Sequence, residues 1–213
     1  MTTKGRVVVI GAGMAGLTAA HFLKGAGYEA VLLEQDGRPG GRIESIERNA
    51  DTIDVGAQFL HTNYTLTLEL AKTFGLESDL VKMQNADMMM RDGRTHIIPW
   101  GSVRVPAISL WSQIKMARLF APMLARRKHM ALEGWPNLLD LDKLELSTYA
   151  RLKLNDECLS YMVRALMLSY SMSEPEGISV AYFLRSLHMY VTSGAYCFRS
   201  GNDVLPKAMA RDL

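Results

Sequence analysis

The sequence predicts an α/β fold with a parallel sheet near its N-terminal end. Residues 6–10 (RVVVI) and 29–34 (EAVLLE) are short, mostly apolar runs rich in β-branched side chains, which is typical of strands buried on both faces. Between them, residues 17–26 repeat apolar side chains at helical spacing, and Gly27 lies where a helix commonly ends. A strand–helix–strand unit of about 30 residues requires a crossover, and therefore parallel strands.

The first strand leads into the helix through the motif GAGMAG, residues 11–16. Gly11 permits the tight turn, Gly13 a close backbone approach to a pyrophosphate, and Gly16 close packing of the helix on the strand. The helix N-terminus attracts phosphate through its free N–H groups and its dipole. Glu34 closes the second strand and suits ribose hydroxyls, while its charge disfavours the 2′-phosphate of NADP. The alternative is a structural unit without a ligand.

A second glycine-rich loop, GRPGGRI at residues 37–43, follows directly. A nicotinamide dinucleotide needs no second loop. A dinucleotide with an isoalloxazine ring needs more backbone, and a cation along its pyrophosphate. Gly40 and Gly41 permit close approach, and Arg42 supplies a charged guanidinium fork. A surface salt bridge is the alternative for Arg42, and spacing alone leaves both open.

Residues 7–43, from VVVIGAGMAG to GRPGGRI, resemble the FAD-binding start of the flavin-dependent amine oxidase superfamily. That superfamily includes amine oxidases, protoporphyrinogen oxidases and phytoene desaturases. The resemblance implies a Rossmann-like FAD-binding domain of the glutathione-reductase type, with FAD as cofactor. It also implies that the segment DVGAQFLH, residues 54–61, runs beside the isoalloxazine.

Together these motifs give a predicted site. The only catalytic candidate is His61, and a structural histidine is the slightly favoured alternative. The predicted cofactor-binding residues are Gly11, Ala12, Gly13, Met14, Ala15, Gly16, Glu34, Gln35, Gly40, Gly41, Arg42, Gly56, Ala57, Gln58 and Phe59.

A composition shift near residue 80 predicts a domain boundary there. Residues 80–98 contain the turn signal Asp92-Gly93 and predict a hairpin, and residues 108–187 are mostly helical. We expect helix breaks at the prolines of this stretch, Pro122, Pro136 and Pro175. By resemblance, residues 1–79 begin the FAD-binding domain, residues 80–195 begin a largely helical substrate domain, and residues 196–213 return to the FAD-binding domain.

The resemblance also implies that the chain corresponds to the N-terminal half of the family's polypeptide. One strand–helix–strand unit supplies two parallel strands, whereas a buried parallel sheet needs more strands and helices on both faces. We therefore expect a second chain to supply the C-terminal half, in a heterodimer or larger assembly. A truncated chain and a complete minimal protein are the alternatives.

The composition excludes several other functions. A net charge of +2, with no basic stripe, argues against nucleic-acid binding. Two cysteines in 213 residues suggest a reducing, cytoplasmic compartment. We expect no signal peptide, no spanning helix and no metal site, because the sequence shows neither a long apolar run nor ligand spacing.

The resemblance implies an FAD-dependent oxidoreductase that oxidises an amine, with a hydride passing from a carbon next to nitrogen to the flavin N5. A C–C desaturase of the protoporphyrinogen oxidase kind and a non-catalytic FAD-binding subunit are the alternatives. A small amine-like or apolar molecule is the expected substrate.

Residues 110–130 (LWSQIKMARLFAPMLARRKHM) carry a further pattern. An apolar face is followed by basic residues, a pattern that suits a helix lying on an anionic membrane surface. A solvated basic helix end is the favoured alternative.

Overall fold

The computed structural model describes residues 3–83, 86–99, 101–102, 104–130 and 136–213. The chain divides into two compact units, the first joining Met1–Gln84 to Ala195–Leu213 and the second being Asn85–Gly194. The predicted domain limits at residues 80 and 196 stay predictions. In chain order, the helices and strands are β1 (Arg6–Ile10), α1 (Met14–Gly25), β2 (Glu29–Leu33), β3 (Ser45–Arg48), β4 (Asp51–Asp54), β5 (Leu60–His61), α2 (Thr65–Thr73), β6 (Leu80–Lys82), β7 (Ala86–Arg91), β8 (Arg94–Pro99), α3 (Leu110–Ala125), α4 (Leu139–Asp142), α5 (Leu146–Lys153), α6 (Asp156–Cys158), α7 (Arg164–Ser171), α8 (Val180–Thr192), β9 (Ala195–Phe198) and α9 (Val204–Asp212).

The predicted strand–helix–strand unit is confirmed. β1 and β2 pair in parallel, with Val8 opposite Val31, and α1 connects them. The helix begins at Met14, three residues before the predicted start, because Gly13 already serves as its N-cap. Its inner face buries Leu17 and Ala20 completely. The glycine motif therefore contributes the first turn of the helix as well as the loop.

The prediction that both strands are buried on both faces is wrong for the described chain. Val8, Ile10 and Leu33 are 54%, 87% and 52% exposed. Residues in a strand point alternately to the two faces of the sheet. One face packs on α1, and no element of the described residues covers these three side chains on the other.

The rest of the first unit packs around the parallel pair. β3 and β4 form an antiparallel hairpin, and β9 lies between β5 and β6 in a three-stranded antiparallel sheet. β6 was predicted to belong to the following hairpin. It instead pairs with β9, whose residues lie more than 100 positions away in the sequence. The buried core of this unit contains Leu17, Leu60, Leu70, Ala71, Phe198, Leu205 and Met209.

The second unit opens with the predicted hairpin, which is confirmed over β7 and β8. Asp92 and Gly93 form its turn, and both adopt positive φ angles of 51° and 72°. This backbone matches the two-residue turn that suits twisted strands. The hairpin is shorter than predicted, since it starts at Ala86 rather than residue 80.

Helices fill the remainder of the second unit. Phe183 and Leu184 of α8 lie in a buried cluster with Leu119 of α3. The predicted break at Pro122 is wrong, because α3 continues to Ala125. Proline removes one backbone N–H and crowds the preceding turn, and the helix absorbs this near its end. Pro175 lies between α7 and α8, as predicted, while the residues just before Pro136 lie outside the described ones.

A half-buried carboxylate ties three elements of the second unit together. Glu157 of α6 accepts hydrogen bonds from Arg91 of β7, from the Ser109 hydroxyl at 2.5 Å, and from the Ser112 hydroxyl of α3. The hydrogen bonds from Ser109, Ser112 and Arg91 lower the pKa of Glu157 to about 2. The carboxylate therefore stays ionised over the whole neutral range and joins the hairpin to the helices.

Candidate functional site

The first glycine loop is shaped by close backbone contacts. Gly11 has a φ of 95°, and its N–H donates to Leu33 O at 2.7 Å, which joins the ends of β1 and β2. A Cβ at Gly16 would lie 1.9 Å from Gly11 O. Only glycine fits there, because backbone atoms cannot yield as a flexible side chain can. The first and third glycines of the motif thus fix the loop against the strand.

The middle glycine faces open space. Gly13 is the N-cap of α1, no side chain caps the helix there, and the first turn carries no acidic residue. No atom lies within 4 Å of the position that a Cβ on Gly13 would take. The N–H groups of the helix start and the positive end of its dipole are therefore directed at a space that suits a phosphate group.

Glu34 lies beside this loop. Its carboxylate accepts hydrogen bonds from the backbone N–H groups of Ala12 at 2.6 Å, Gln35 at 2.8 Å and Asp36 at 3.0 Å. The N–H groups of Asp36 and Ala12 lower the pKa of Glu34 below its usual value. The group therefore stays ionised, and a carboxylate has acceptor capacity left for ribose hydroxyls.

The second glycine loop lies against the first. The N–H of Gly40 donates to Ala12 O at 2.8 Å, and Gly40 forms an isolated bridge with Gly13. A Cβ at Gly41, whose φ is 57°, would lie 3.3 Å from Gly13 Cα. The structure thus places the two predicted glycine loops side by side at the N-terminus of α1.

Two arginines of the second loop have different roles. Arg38 donates to Gly41 O and Ile43 O, both at 3.0 Å, and pairs with Glu44 at 2.9 Å. Arg42 is exposed and has no ion-pair partner among the described residues. The salt-bridge alternative for Arg42 is therefore not observed, which leaves its charge available to a phosphate. The sequence analysis missed Arg38, which holds the loop.

The segment predicted beside the isoalloxazine is fixed to the second loop. A Cβ at Gly56 would lie 2.1 Å from Arg42 O, and the N–H of Ala57 donates to that same oxygen at 3.1 Å. The side chain of Asn202 holds the segment from the other end, since it donates to Ala57 O at 2.9 Å and accepts from Phe198 N at 3.1 Å. Gln58 is exposed and Phe59 is half-buried.

Asn202 and Asp203 are positioning residues that the sequence analysis missed. Both are buried, at 3% and 5% exposure. Asp203 accepts from Ser45 N at 3.3 Å and pairs with Lys207 at 2.7 Å, and the N–H of Asn202 donates to Asp54 at 2.9 Å. The one signal in the sequence was two consecutive polar residues in a glycine turn, and such turns are common at surfaces.

His61 lies within the packed part of the first unit. It is buried in β5, opposite Ala195 of β9, and its ring meets Phe59 and Tyr64 edge-on at centroid distances of 5.3 Å each. Burial lowers the pKa of His61, so the ring is neutral at physiological pH. These contacts favour the structural alternative, and the catalytic role stays a prediction.

The second unit contains a separate, largely apolar cavity of about 330 Å³. Tyr190 donates a 2.6 Å hydrogen bond to Asp87 at its wall, and burial raises the pKa of Tyr190. Aromatic and methionine side chains dominate the lining, among them Met88, Met89, Met90, Tyr161 and Tyr170. Such a lining accepts apolar molecules of varied shape.

The family model of flavin-containing amine oxidoreductases matches residues 14–213. The chain belongs to this family. FAD is therefore its cofactor, and the chain is part of an oxidoreductase family. Among the described residues, no cluster of three metal-ligating side chains occurs, and no helix is long and apolar enough to cross a membrane.

Individual relatives of this flavoprotein catalyse different reactions. It is 28% identical over 167 residues to coproporphyrinogen III oxidase of Staphylococcus aureus, covering 76% of this chain and 35% of that protein. It is 42% identical over 72 residues to L-amino-acid oxidase of Sistrurus catenatus edwardsii, covering 34% of this chain and 14% of that protein. In fold it resembles putrescine oxidase, with a TM-score of 0.74 and 18% identity, over 99% of this chain and 50% of that one. The chain thus spans half or less of the length of these three proteins.

Proposed function

We propose that this chain is the FAD-binding half of an oxidoreductase that oxidises an amine. The observation that carries the proposal is the juxtaposition of two glycine loops, the start of α1 and the ionised Glu34. An amine substrate is supported by the family and by the likeness to two proteins, an L-amino-acid oxidase and a putrescine oxidase. When bound, FAD would supply the two-electron acceptor for dehydrogenation of the carbon next to nitrogen.

The chain's own residues bind and orient the cofactor. Gly13 and the N-terminus of α1 would hold the pyrophosphate, and Arg42 would add charge along it. Glu34 would accept hydrogen bonds from the adenosine ribose. The remaining contacts, to the isoalloxazine, would come from residues 56–59, which the second glycine loop and Asn202 hold in place.

A second polypeptide that carries the remainder of the family fold would complete this enzyme, in a heterodimer or larger assembly. Two observations support it: the chain spans half of putrescine oxidase, and Val8, Ile10 and Leu33 expose apolar surface on one face of the parallel pair. Exposed contiguous apolar surface of this kind marks an interaction site. The assembly would provide the substrate-enclosing groups, and its cytoplasmic location stays a prediction.

Oxidation of a C–C bond is the second candidate. It is favoured by coproporphyrinogen III oxidase, which covers far more of this chain than the L-amino-acid oxidase does, and by the apolar cavity in the second unit. A non-catalytic FAD-binding subunit is the third, since the polar residues assembled in the first unit suit cofactor binding rather than proton transfer.

Anaerobic mixing with candidate substrates would separate these functions. The protein, assembled with its complementary polypeptide, would be mixed with primary amines, amino acids or a porphyrinogen while the visible flavin absorption is followed. Bleaching by an amine or amino acid supports the proposal, whereas bleaching by the porphyrinogen alone supports the second candidate. A flavin that no substrate of these classes reduces would point to the binding subunit.

A further inference from the structure

The outer face of α3 exposes several large apolar side chains to solvent, with the exposed Arg118 one turn after Ile114. Leu110, Trp111 and Ile114 are 73%, 57% and 48% exposed, and Leu124 at the far end is 56% exposed. The opposite face of the same helix packs Met116, Leu119 and Met123 into the core of the second unit. A surface helix ordinarily presents polar residues to water, so this outer strip is an exception that calls for a partner.

Positive charge borders the strip. No Asp or Glu occurs between residues 110 and 130. The ammonium group of Lys115 lies 5.6 Å from the Trp111 ring centroid. Arg126 pairs with Asp140 at 2.7 Å, whereas Arg127 and Lys128, exposed just beyond the helix, have no ion-pair partner within the described parts of the chain.

We propose that the outer face of α3 docks on an anionic lipid bilayer, with the helix lying in the plane of the surface. Its 16 residues span about 24 Å. The apolar strip would enter the headgroup boundary, Trp111 would sit at the interface, and the cations would meet lipid phosphates. Apolar side chains flanked by cations, with no carboxylate along residues 110–130, complement the charge and the layering of an anionic bilayer surface.

The sequence alone favoured a solvated basic helix end. The solvated-end interpretation requires the apolar side chains of the helix to be buried in the core, so that only the basic end meets solvent. Because the strip is exposed, the structure favours the membrane interpretation instead. No described helix spans a membrane, so the association would be peripheral and reversible.

Vesicle flotation tests the proposal with the FAD-carrying chain assembled with its complementary polypeptide, because a strip that this polypeptide covers could not reach a bilayer. We expect the protein to float with vesicles of phosphatidylcholine and phosphatidylglycerol, to float less with phosphatidylcholine alone, and to be released by high salt. The double variant Ile114→Glu with Leu124→Glu should stop flotation. Removing two basic contacts by Arg127→Glu with Lys128→Glu should weaken partitioning roughly thirty-fold or more.

Matched control variants carry the same changes elsewhere. Leu152→Glu with Leu168→Glu alters two apolar residues of the same unit that are 76% and 44% exposed. Arg48→Glu with Lys72→Glu reverses two exposed cations of the first unit. Both controls should float as the wild type does, and circular dichroism would verify that each variant is folded.

Three results would overturn the proposal. The first is absence of flotation with anionic vesicles, and the second is an equal loss of flotation in the controls. The third is self-association of the protein, seen by light scattering, without any binding to vesicles. If Ile114→Glu with Leu124→Glu abolished that self-association, the strip would be a protein interface. A blue shift of tryptophan emission on anionic vesicles, lost in Trp111→Phe, would support the docking geometry.

Discussion

The two units of this flavoprotein are specified in different ways. In the first, contacts between backbones shape the candidate site, and glycines stand where a single added carbon would meet a carbonyl oxygen. In the second, a buried cluster of side chains from several helices determines the packing. Both units expose apolar side chains, on the open face of β1 and β2 in the first and on the outer face of α3 in the second. In our proposal FAD binding therefore depends on backbone geometry, and we expect the stability of the second unit to depend on side-chain volume.

The largest expected effect comes from Gly16→Val. The new Cβ would lie 1.9 Å from Gly11 O, which forces the start of α1 away from the strand. We expect FAD affinity to fall by more than about 100-fold, the equivalent of losing several backbone hydrogen bonds. The visible absorption of the purified protein would report this loss as a lower content of bound flavin. Gly25→Ala is the control, because nothing lies within 4 Å of its added Cβ, and it should retain full flavin.

A side-chain deletion should affect the second unit instead. Phe183 is 1% exposed in its core, so Phe183→Ala should cost about 3–5 kcal/mol of unfolding free energy. Urea denaturation followed by circular dichroism would measure this. Ile10→Ser, at a residue that is 87% exposed, should change the stability of the lone chain by less than about 0.5 kcal/mol. A larger loss for Ile10→Ser than for Phe183→Ala would contradict the comparison between units.

The ribose contact should have an intermediate effect. Glu34→Gln replaces the carboxylate that accepts three backbone hydrogen bonds. In our proposal the same carboxylate accepts hydrogen bonds from the ribose hydroxyls. We expect FAD to bind about 10–100-fold more weakly by calorimetric titration. Glu47→Gln, on the exposed strand β3, is the matched control and should bind FAD normally. Unchanged affinity in Glu34→Gln would remove this residue from the site.

A smaller effect is expected at Arg42. Because the group is exposed, replacing it by glutamine should weaken FAD binding only about five-fold, with no loss of stability. Arg38→Gln should show the reverse pattern, since its bonds to Gly41, Ile43 and Glu44 hold the loop itself. Equal stability losses in the two variants would mean that both arginines are structural.

The last prediction concerns the pH dependence of stability, to which Glu157 contributes only in acid and not near neutrality. The folded pKa of Glu157, about 2, lies below its ordinary value of 4.5. Its contribution to stability is therefore fully present above pH 4.5 and is lost as pH falls from there toward 2. Unfolding free energies measured across this window should fall less steeply in Glu157→Gln. An identical pH slope in the two proteins would show that Glu157 carries none of the acid sensitivity.

Local signals explain what could be predicted from the sequence. The strand–helix–strand unit, both glycine loops and Glu34 follow from residues within about 40 positions of one another, and φ angles of 95° and 114° favour glycine at Gly11 and Gly40. The turn at Asp92-Gly93 is equally local. Apolar periodicity and turn chemistry are therefore sufficient for these elements.

Distant contacts explain what could not. Asn202 and Asp203 reach residues that lie about 150 positions earlier, and β6 pairs with β9 across more than 100 positions. Exposure of the apolar residues of β1, β2 and α3 depends on which elements cover each face. The spacing of apolar residues does not show which face is covered, since the same apolar run occurs whether or not another element packs on it.

The central claim is that the backbone cradle of the first unit holds FAD. Its most direct test is the visible absorption spectrum of the chain, purified alone and then together with a polypeptide carrying the remainder of the family fold. The account predicts bound flavin in the joint preparation, and flavin bound by the lone chain would show that the cradle needs no partner. A colourless protein in both preparations would contradict the claim.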